Sequence, residues 1–422
     1  MISLEFFPEW FVPLMITLII GLLIGLEQET PPRTEPRHFG GVTTLPLVSI
    51  GGFVSAHWWA GQPVFLVGLG VLGLLVAAAF MRGSQMTGTL GITQEIATLL
   101  CWLLGGLVAA GEWVASLVIA VTATLVLAGK KQGRGEAADK VTIAKFALLA
   151  VIVYLILPDQ GFTELNINPR QVWSMVVLVS GIACIGYFML QGFGPERGIL
   201  ATALLGGLVS SVAVTLAFAR LSQKRPELAS ALTAGILLTA SVMFARQMLE
   251  VAIVNPKLLP ITAVLLLPAL TTGLWLIWRT LSKANSRHKG AAVATPLENP
   301  LELSTVIQFG ALYGLVFAVA QLAINHFGPF GVYTISLLAG SFDTDAITLA
   351  LAQLNTSGAV PTAIAVLGIA MASVSNLAIK LAMVWACATR SIAIQTATGL
   401  AAIAGIATVA IAAVLLMAWR AV

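Results

Sequence analysis

Charge is what this sequence has least of: 9% of its 422 residues are Asp, Glu, Lys or Arg, against roughly a quarter in a soluble globular domain. That scarcity excludes an ordinary water-soluble fold. Histidine and cysteine are also rare, at four and three residues. Cys101, Cys184 and Cys387 are far apart and each lies in an apolar run, so neither a disulfide framework nor a CxxC metal site is available. The histidines have no ligand spacing between them. There is no P-loop, Rossmann fingerprint, HExxH or GxSxG in a strand-turn-helix setting. The sequence therefore reads as no enzyme and as needing no tightly bound cofactor. A net charge of +4, lying in loops, reads as a topology signal rather than a nucleic-acid surface.

What is present is apolar length. Hydrophobic residues make up 58% of the chain, in runs of about 18 or more that suffice to span a bilayer as helices. The runs lack the two-residue alternation of a barrel. The expected fold is an all-α, polytopic transmembrane bundle with 13–14 hydrophobic segments, the fourteen beginning near residues 10, 43, 62, 91, 112, 142, 170, 198, 229, 258, 302, 331, 360 and 394. No Lys or Arg precedes the first run, so it reads as a span and not a secretory signal. Two charged linkers, Lys130–Lys140 and Ser282–Pro300, interrupt the pattern. They suggest an N-terminal membrane domain (1–129), a basic loop (130–141) and a C-terminal membrane domain (142–422).

Parity of the spans conflicts with the positive-inside rule unless one segment after residue 141 does not cross. If it does not, the basic stretches 130–145, 220–228 and 279–303 all lie in the cytoplasm and the N-terminus lies outside. The segment to suspect is Gly198–Ala219, whose centre reads LLGGLVSS, a poor sequence for continuing a helix. An internal repeat singles out the same place. Shifted by 133 residues, Gly198–Arg220 aligns with Gly331–Gln353 with nine of 23 positions identical, and an FGP turn precedes both copies. The repeat units are about 170–281 and 302–420, with broken or re-entrant helices expected near 206–212 and 340–346. Re-entrant segments would make the repeat inverted and spanning ones parallel; the sequence does not choose.

At the second break the stretch AGSFDTDAITLALAQ sets Asp343 and Asp345 where the first copy has Ser210 and Val212, with Ser211 between them. An acid at mid-membrane costs about 2.5–3.5 kcal/mol on insertion scales. One reading is a hard-cation or proton site with Asp343 and Asp345 as metal ligands, helped by Ser210 and Ser211 at the other break. The other is a structural ion pair with Arg246 or Lys380. Asn376 and Lys380 share a helix face, four residues apart, and Arg246 and Glu250 have the same spacing in the first copy. The bland reading of that last pair is an intrahelical contact near an interface. Glu95, in GITQEIATLL, and Glu27, at the end of GLLIGLEQE, complete the candidate ion-binding set. Mg²⁺ keeps several waters and needs only one or two carboxylates, which suits so sparse a set.

GLLIGLEQE (Gly21–Glu29), the polar RTEPRHFGG that follows, and a Gly-rich second segment resemble the opening of the MgtC/SapB family. NPRQVWSMVVLVSGIACIGYF (Asn168–Phe188), GGLVSSVAVTLAFAR, SVMFARQ and AGSFDTDAITLALAQ resemble the uncharacterised membrane domain that follows it in one branch. The resemblance implies a prokaryotic, multi-pass inner-membrane protein linked to growth at low magnesium, with Glu27 at the family's first-motif acid. It also implies a similarity to a regulator of ATP synthase.

The leading expectation is a transporter or channel for a small cation, Mg²⁺ first. The alternative is a non-transporting regulator that acts through a partner membrane complex. Expected partners are the lipid bilayer, a small inorganic ion and, through Gly-rich segments, a second copy in a homodimer; nucleic acid is not expected. A wet cavity reaching Asp343 and Asp345 would favour transport, and a dry ion pair there the regulator.

Overall fold

The computed structural model describes residues 8–28, 41–60, 62–87, 92–129, 140–161, 167–192, 198–283 and 303–420. Glu29, His38, His288, the loop 130–139, the linker 284–302 and the first copy's FGPER at 193–197 lie outside them. Among the described residues 89% are helical and none lies in a strand, and nine helices are by length and composition apolar enough to cross a membrane. It is an all-α polytopic helical protein. Two compact units divide at Pro158.

The first unit comprises α1 (Phe11–Gln28), α2 (Thr44–Trp58), α3 (Val64–Thr87), α4 (Thr93–Ala109), α5 (Trp113–Gly129) and α6 (Lys140–Ile156). Glycine sets its spacing. Gly21 lies against Pro46 and Gly25 against Gly41 and Val42, so α1 and α2 run antiparallel in backbone contact. Gly52 meets the Trp102 carbonyl and Gly105 the Ser49 carbonyl, so α2 and α4 do the same. Helix α6 packs on α1 and α5, and Ile152 joins their core. The unit therefore ends beyond the 130–141 loop at which the sequence suggests a division.

The second unit holds α7 (Pro169–Gly192), α8 (Ile199–Lys224), α9 (Ala229–Val254), α10 (Leu259–Lys283), α11 (Leu303–Phe342), α12 (Thr344–Thr356), α13 (Thr362–Cys387) and α14 (Arg390–Arg420). Two of these helices are interrupted. In α8 the backbone leaves the helical region at Ser210 (φ −158°, ψ 104°). In α11 it does so at Gly328 (φ 58°, ψ −145°), a left-handed position open to glycine, with Pro329 starting the next stretch. Asp343 (φ −151°, ψ 123°) then separates α11 from α12.

Neighbouring contacts show that both interrupted segments double back. Along α13, Ser336 lies beside Gly368, Gly340 beside Ala372, and Ser341 Oγ is 2.9 Å from Ser375 Oγ, so residues 329–342 run parallel to α13. Leu351 returns to Gly368, and Asn355 Nδ2 donates to the Val360 carbonyl at 2.9 Å, so α12 runs antiparallel to it. Residues 329–356 are thus a helical hairpin with Asp343 at its tip. In the first copy Ile199 packs on Gly235 and Gly207 on Thr239 and Val242. Thr215 then faces Thr239 and Phe218 faces Gly235 on the way back. Residues 199–224 are the equivalent hairpin, with Ser210 at its tip. Each arm is roughly 15–20 Å long at about 1.5 Å per residue, half or a little more of the ~30 Å hydrocarbon core.

The orientation of the two copies follows from the same bonds. Gln247 accepts from Ser373 Oγ at 2.9 Å, and Met243 Sδ accepts from Lys380 Nζ at 3.3 Å. As the numbers rise along α9 they fall along α13, so these repeat-equivalent helices are antiparallel. The repeat is inverted, with its pseudo-two-fold axis across the helices, and the hairpins enter from opposite ends of α9. Segments 8 and 12 of the expected fourteen are the hairpins.

Candidate functional site

The two tips approach the middle of α9, and one side chain touches both. Arg246, 6% exposed, donates through Nη1 to the Leu208 carbonyl at 2.7 Å, just before the first tip. Its Nη2 lies 2.7 Å from Asp345 Oδ2 in the second tip, and its Nε 3.2 Å from Glu250 Oε1 one turn along α9. The Leu208 carbonyl ends a half-helix, where partial negative charge collects, so a guanidinium there is favourable beyond its ion pairs.

Each tip caps its own returning arm. Asp343 Oδ1 accepts from the backbone N–H of Asp345 at 2.7 Å and of Ala346 at 3.0 Å. Ser210 Oγ accepts from the Ala213 N–H at 3.2 Å. These are N-cap bonds at the centre of a hydrophobic segment, where free N–H groups are costly. Ser211 opens the returning arm of the first hairpin, and its carbonyl accepts from Thr215 Oγ1 at 2.7 Å.

Helix α13 supplies the rest. Asn376 Nδ2 donates to the Gly340 carbonyl at 3.0 Å, ending the second hairpin's descending arm as Arg246 ends the first's. Its Oδ1 is buried with no partner among the described residues, as is Glu250 Oε2. Lys380 is fully buried with its ammonium on the Met243 thioether and within electrostatic range of Asp345. Gln247 Nε2 donates to Thr348 Oγ1 at 3.1 Å, linking α9 to α12.

The structure thus gathers Asp343, Asp345, Asn376, Ser210, Ser211, Arg246 and Lys380 around two hairpin tips. Glu27 and Glu95 belong to the first unit, where the antiparallel order of α1, α2 and α4 puts them at opposite ends. Glu27 is 7% exposed, and Glu95 has a buried Oε2 without a partner among the described residues. Glu250 is the residue that sequence reasoning set aside. Its pair with Arg246 is the intrahelical contact that the spacing suggests, but it is buried and shared with Asp345, which an i, i+4 spacing does not reveal. No group of three or more His, Cys, Asp or Glu side chains among the described residues is arranged to hold a metal. A cavity of about 320 Å³ between the second hairpin, α13 and α14 is lined by Tyr333, Leu337, Leu367, Met371, Val374, Thr408 and Ile411, with none of the cluster in its wall.

Two known families match, one within each unit. Residues 14–135 match the MgtC family and residues 177–388 the Domain of unknown function (DUF4010). An uncharacterized protein of Aquifex aeolicus (strain VF5) is 35% identical over 178 residues, which are 42% of this chain and 77% of that relative. No solved structure matches. The chain belongs to the MgtC/SapB branch in which an MgtC membrane domain is followed by a DUF4010 domain.

Proposed function

We propose that the chain is a secondary carrier for a small cation, bound where the two hairpin tips meet. One observation carries this: inverted re-entrant hairpins reach the same buried cluster from opposite sides, and Arg246 bridges them. Interrupted helices at a repeat interface are how many secondary carriers build a mid-membrane site reachable from either side in turn. By the cavity criterion alone, the Asp345–Arg246 pair and the apolar lining of the cavity weigh towards a structural role. The hairpins weigh more, because a structural ion pair needs no paired breaks.

In this reading Arg246 is the internal counter-ion of the empty site, and cargo loosens its hold on Asp345. The ends of α8 and α10 and the start of α14 place Arg220, Lys224, Arg225, Arg279 and Arg390 at one face of the second unit, which we take as cytoplasmic. The MgtC-family domain links the chain to magnesium physiology, so Mg²⁺ belongs beside Na⁺, K⁺ and protons in the assay. It is also what favours the second reading, a regulator working through a partner complex.

The test is ion flux into proteoliposomes, comparing the native chain with Asp343→Asn/Asp345→Asn. Flux that the folded double variant loses supports the carrier. Absence of flux for every ion, with correct insertion, transfers the case to the regulator.

A further inference from the structure

The charge count at the hairpin tips names the class of cargo, and it rests on the carrier reading. Five formally charged side chains converge: Asp343 and Asp345 from the second hairpin, Arg246 and Glu250 from α9, and Lys380 from α13. The first hairpin brings only the hydroxyls of Ser210 and Ser211 to its tip. Three acids against two bases leave one negative charge in a place where an unbalanced charge is costly.

Unmet acceptors point the same way. Glu250 is fully buried, with Oε1 on Arg246 and Oε2 without a donor among the described residues, and its carboxyl lies close to that of Asp345, so both stay ionised only with a positive charge between them. Asn376 is 2% exposed and its Oδ1 also lacks a donor. Carboxylate and amide oxygens with no N–H or O–H to accept from suit a hard cation. The ligand set is two carboxylates and an amide oxygen.

We propose that the site takes one monovalent metal cation of the alkali class, with Glu250 and Asn376 as ligands beside Asp345. One positive charge brings the cluster to neutrality while Arg246 and Lys380 stay in place. A divalent ion would overshoot by one. Lys380 is then the residue that sets cargo charge: it occupies, as a tethered ammonium, the second positive charge that Mg²⁺ would bring.

The experiment measures thermal unfolding of the purified full-length chain against Na⁺, Li⁺, K⁺ and Mg²⁺ at constant ionic strength, with flux assays in parallel. The native chain is expected to be stabilised saturably by an alkali cation and not by Mg²⁺. Glu250→Gln and Asn376→Ala should each weaken that response about tenfold or more. Lys380→Met, which makes the count −2, should confer a saturable response to Mg²⁺. Mg²⁺ binding by the native chain, an alkali response untouched in Glu250→Gln and Asn376→Ala, or a response to protons alone overturns the proposal. Should Glu250→Gln fail to fold, Asn376→Ala and the selectivity of Lys380→Met decide. Binding without flux sinks the carrier and keeps the site; flux indifferent to these variants keeps the carrier and sinks the site.

Discussion

Ser210 and Asp343 stand 133 residues apart and do the same thing: each leaves the helix at nearly the same backbone angles and caps the arm that follows. The capping oxygen is a hydroxyl in one copy and a carboxylate in the other. Asparagine can replace Asp343 as a cap, and alanine cannot. Asp343→Asn should leave thermal stability nearly unchanged, while Asp343→Ala and Ser210→Ala should each cost about 0.5–2 kcal/mol. Equal losses for Asn and Ala would mean that the charge, not the cap, holds the tip.

Arg246 answers the fully buried carboxylate of Glu250, the partly buried one of Asp345 and a helix end. Arg246→Gln leaves Asp345 and Glu250 facing each other without their shared guanidinium, and breaking such a set from one side costs about 3–5 kcal/mol. Adding Asp345→Asn to Arg246→Gln should recover part of that loss. A double variant no more stable than Arg246→Gln alone would refute the coupling.

The inverted arrangement is open to chemical labelling. In a background with Cys101, Cys184 and Cys387 replaced, Lys224→Cys and Arg279→Cys should react with a membrane-impermeant thiol reagent from one side. Ser357→Cys, in the turn after α12, should react from the other. Reaction of all three from the same side would show that the copies are parallel.

Glycine spacing differs between the copies in a way that stability can read. A Cβ on Gly340 would lie 2.5 Å from Ala372 Cα, whereas one on Gly207 would meet Thr239 Cα at an ordinary 3.4 Å. Gly340→Ala should destabilise by about 1–3 kcal/mol, and Gly207→Ala should be tolerated. In the first unit Gly105→Ala should behave like Gly340→Ala, because its Cβ would fall on the Ser49 carbonyl, while Gly73 has open space. A Gly105→Ala variant as stable as Gly73→Ala would contradict the close α2–α4 contact.

The breaks were legible because they are written locally: LLGGLVSS and AGSFDTD place small and capping residues inside apolar runs, and the 133-residue shift pairs them. The conflict between basic loops and span parity also pointed to a segment that does not cross. Handedness of the repeat was not legible, since it depends on which contacts α9 and α13 make with each other. Arg246 was legible as one of two candidate cations for Asp343 and Asp345, but not which acid it meets. Its four-residue spacing to Glu250 is visible on one helix, but its bond to Asp345 spans 99 residues and exists only because a hairpin from the other copy ends there. Glu250 consequently looked peripheral, although it shares Arg246 with Asp345.

The copies share a shape but not a set of fastenings. The second hairpin is tied to α9 by Arg246–Asp345, Gln247–Thr348 and Asn255–Asn355, all along its returning arm. The first is tied to the other copy at its base, where Gln223 donates to the Cys387 carbonyl and Ser222 Oγ accepts from the Thr389 N–H. A duplicated and inverted scaffold would by itself be indifferent between its two faces. Here the chain has broken that tie by sequence alone; on the carrier reading proposed above, the resting bias of the molecule is then a heritable, tunable quantity, adjustable one side chain at a time without redesigning the fold.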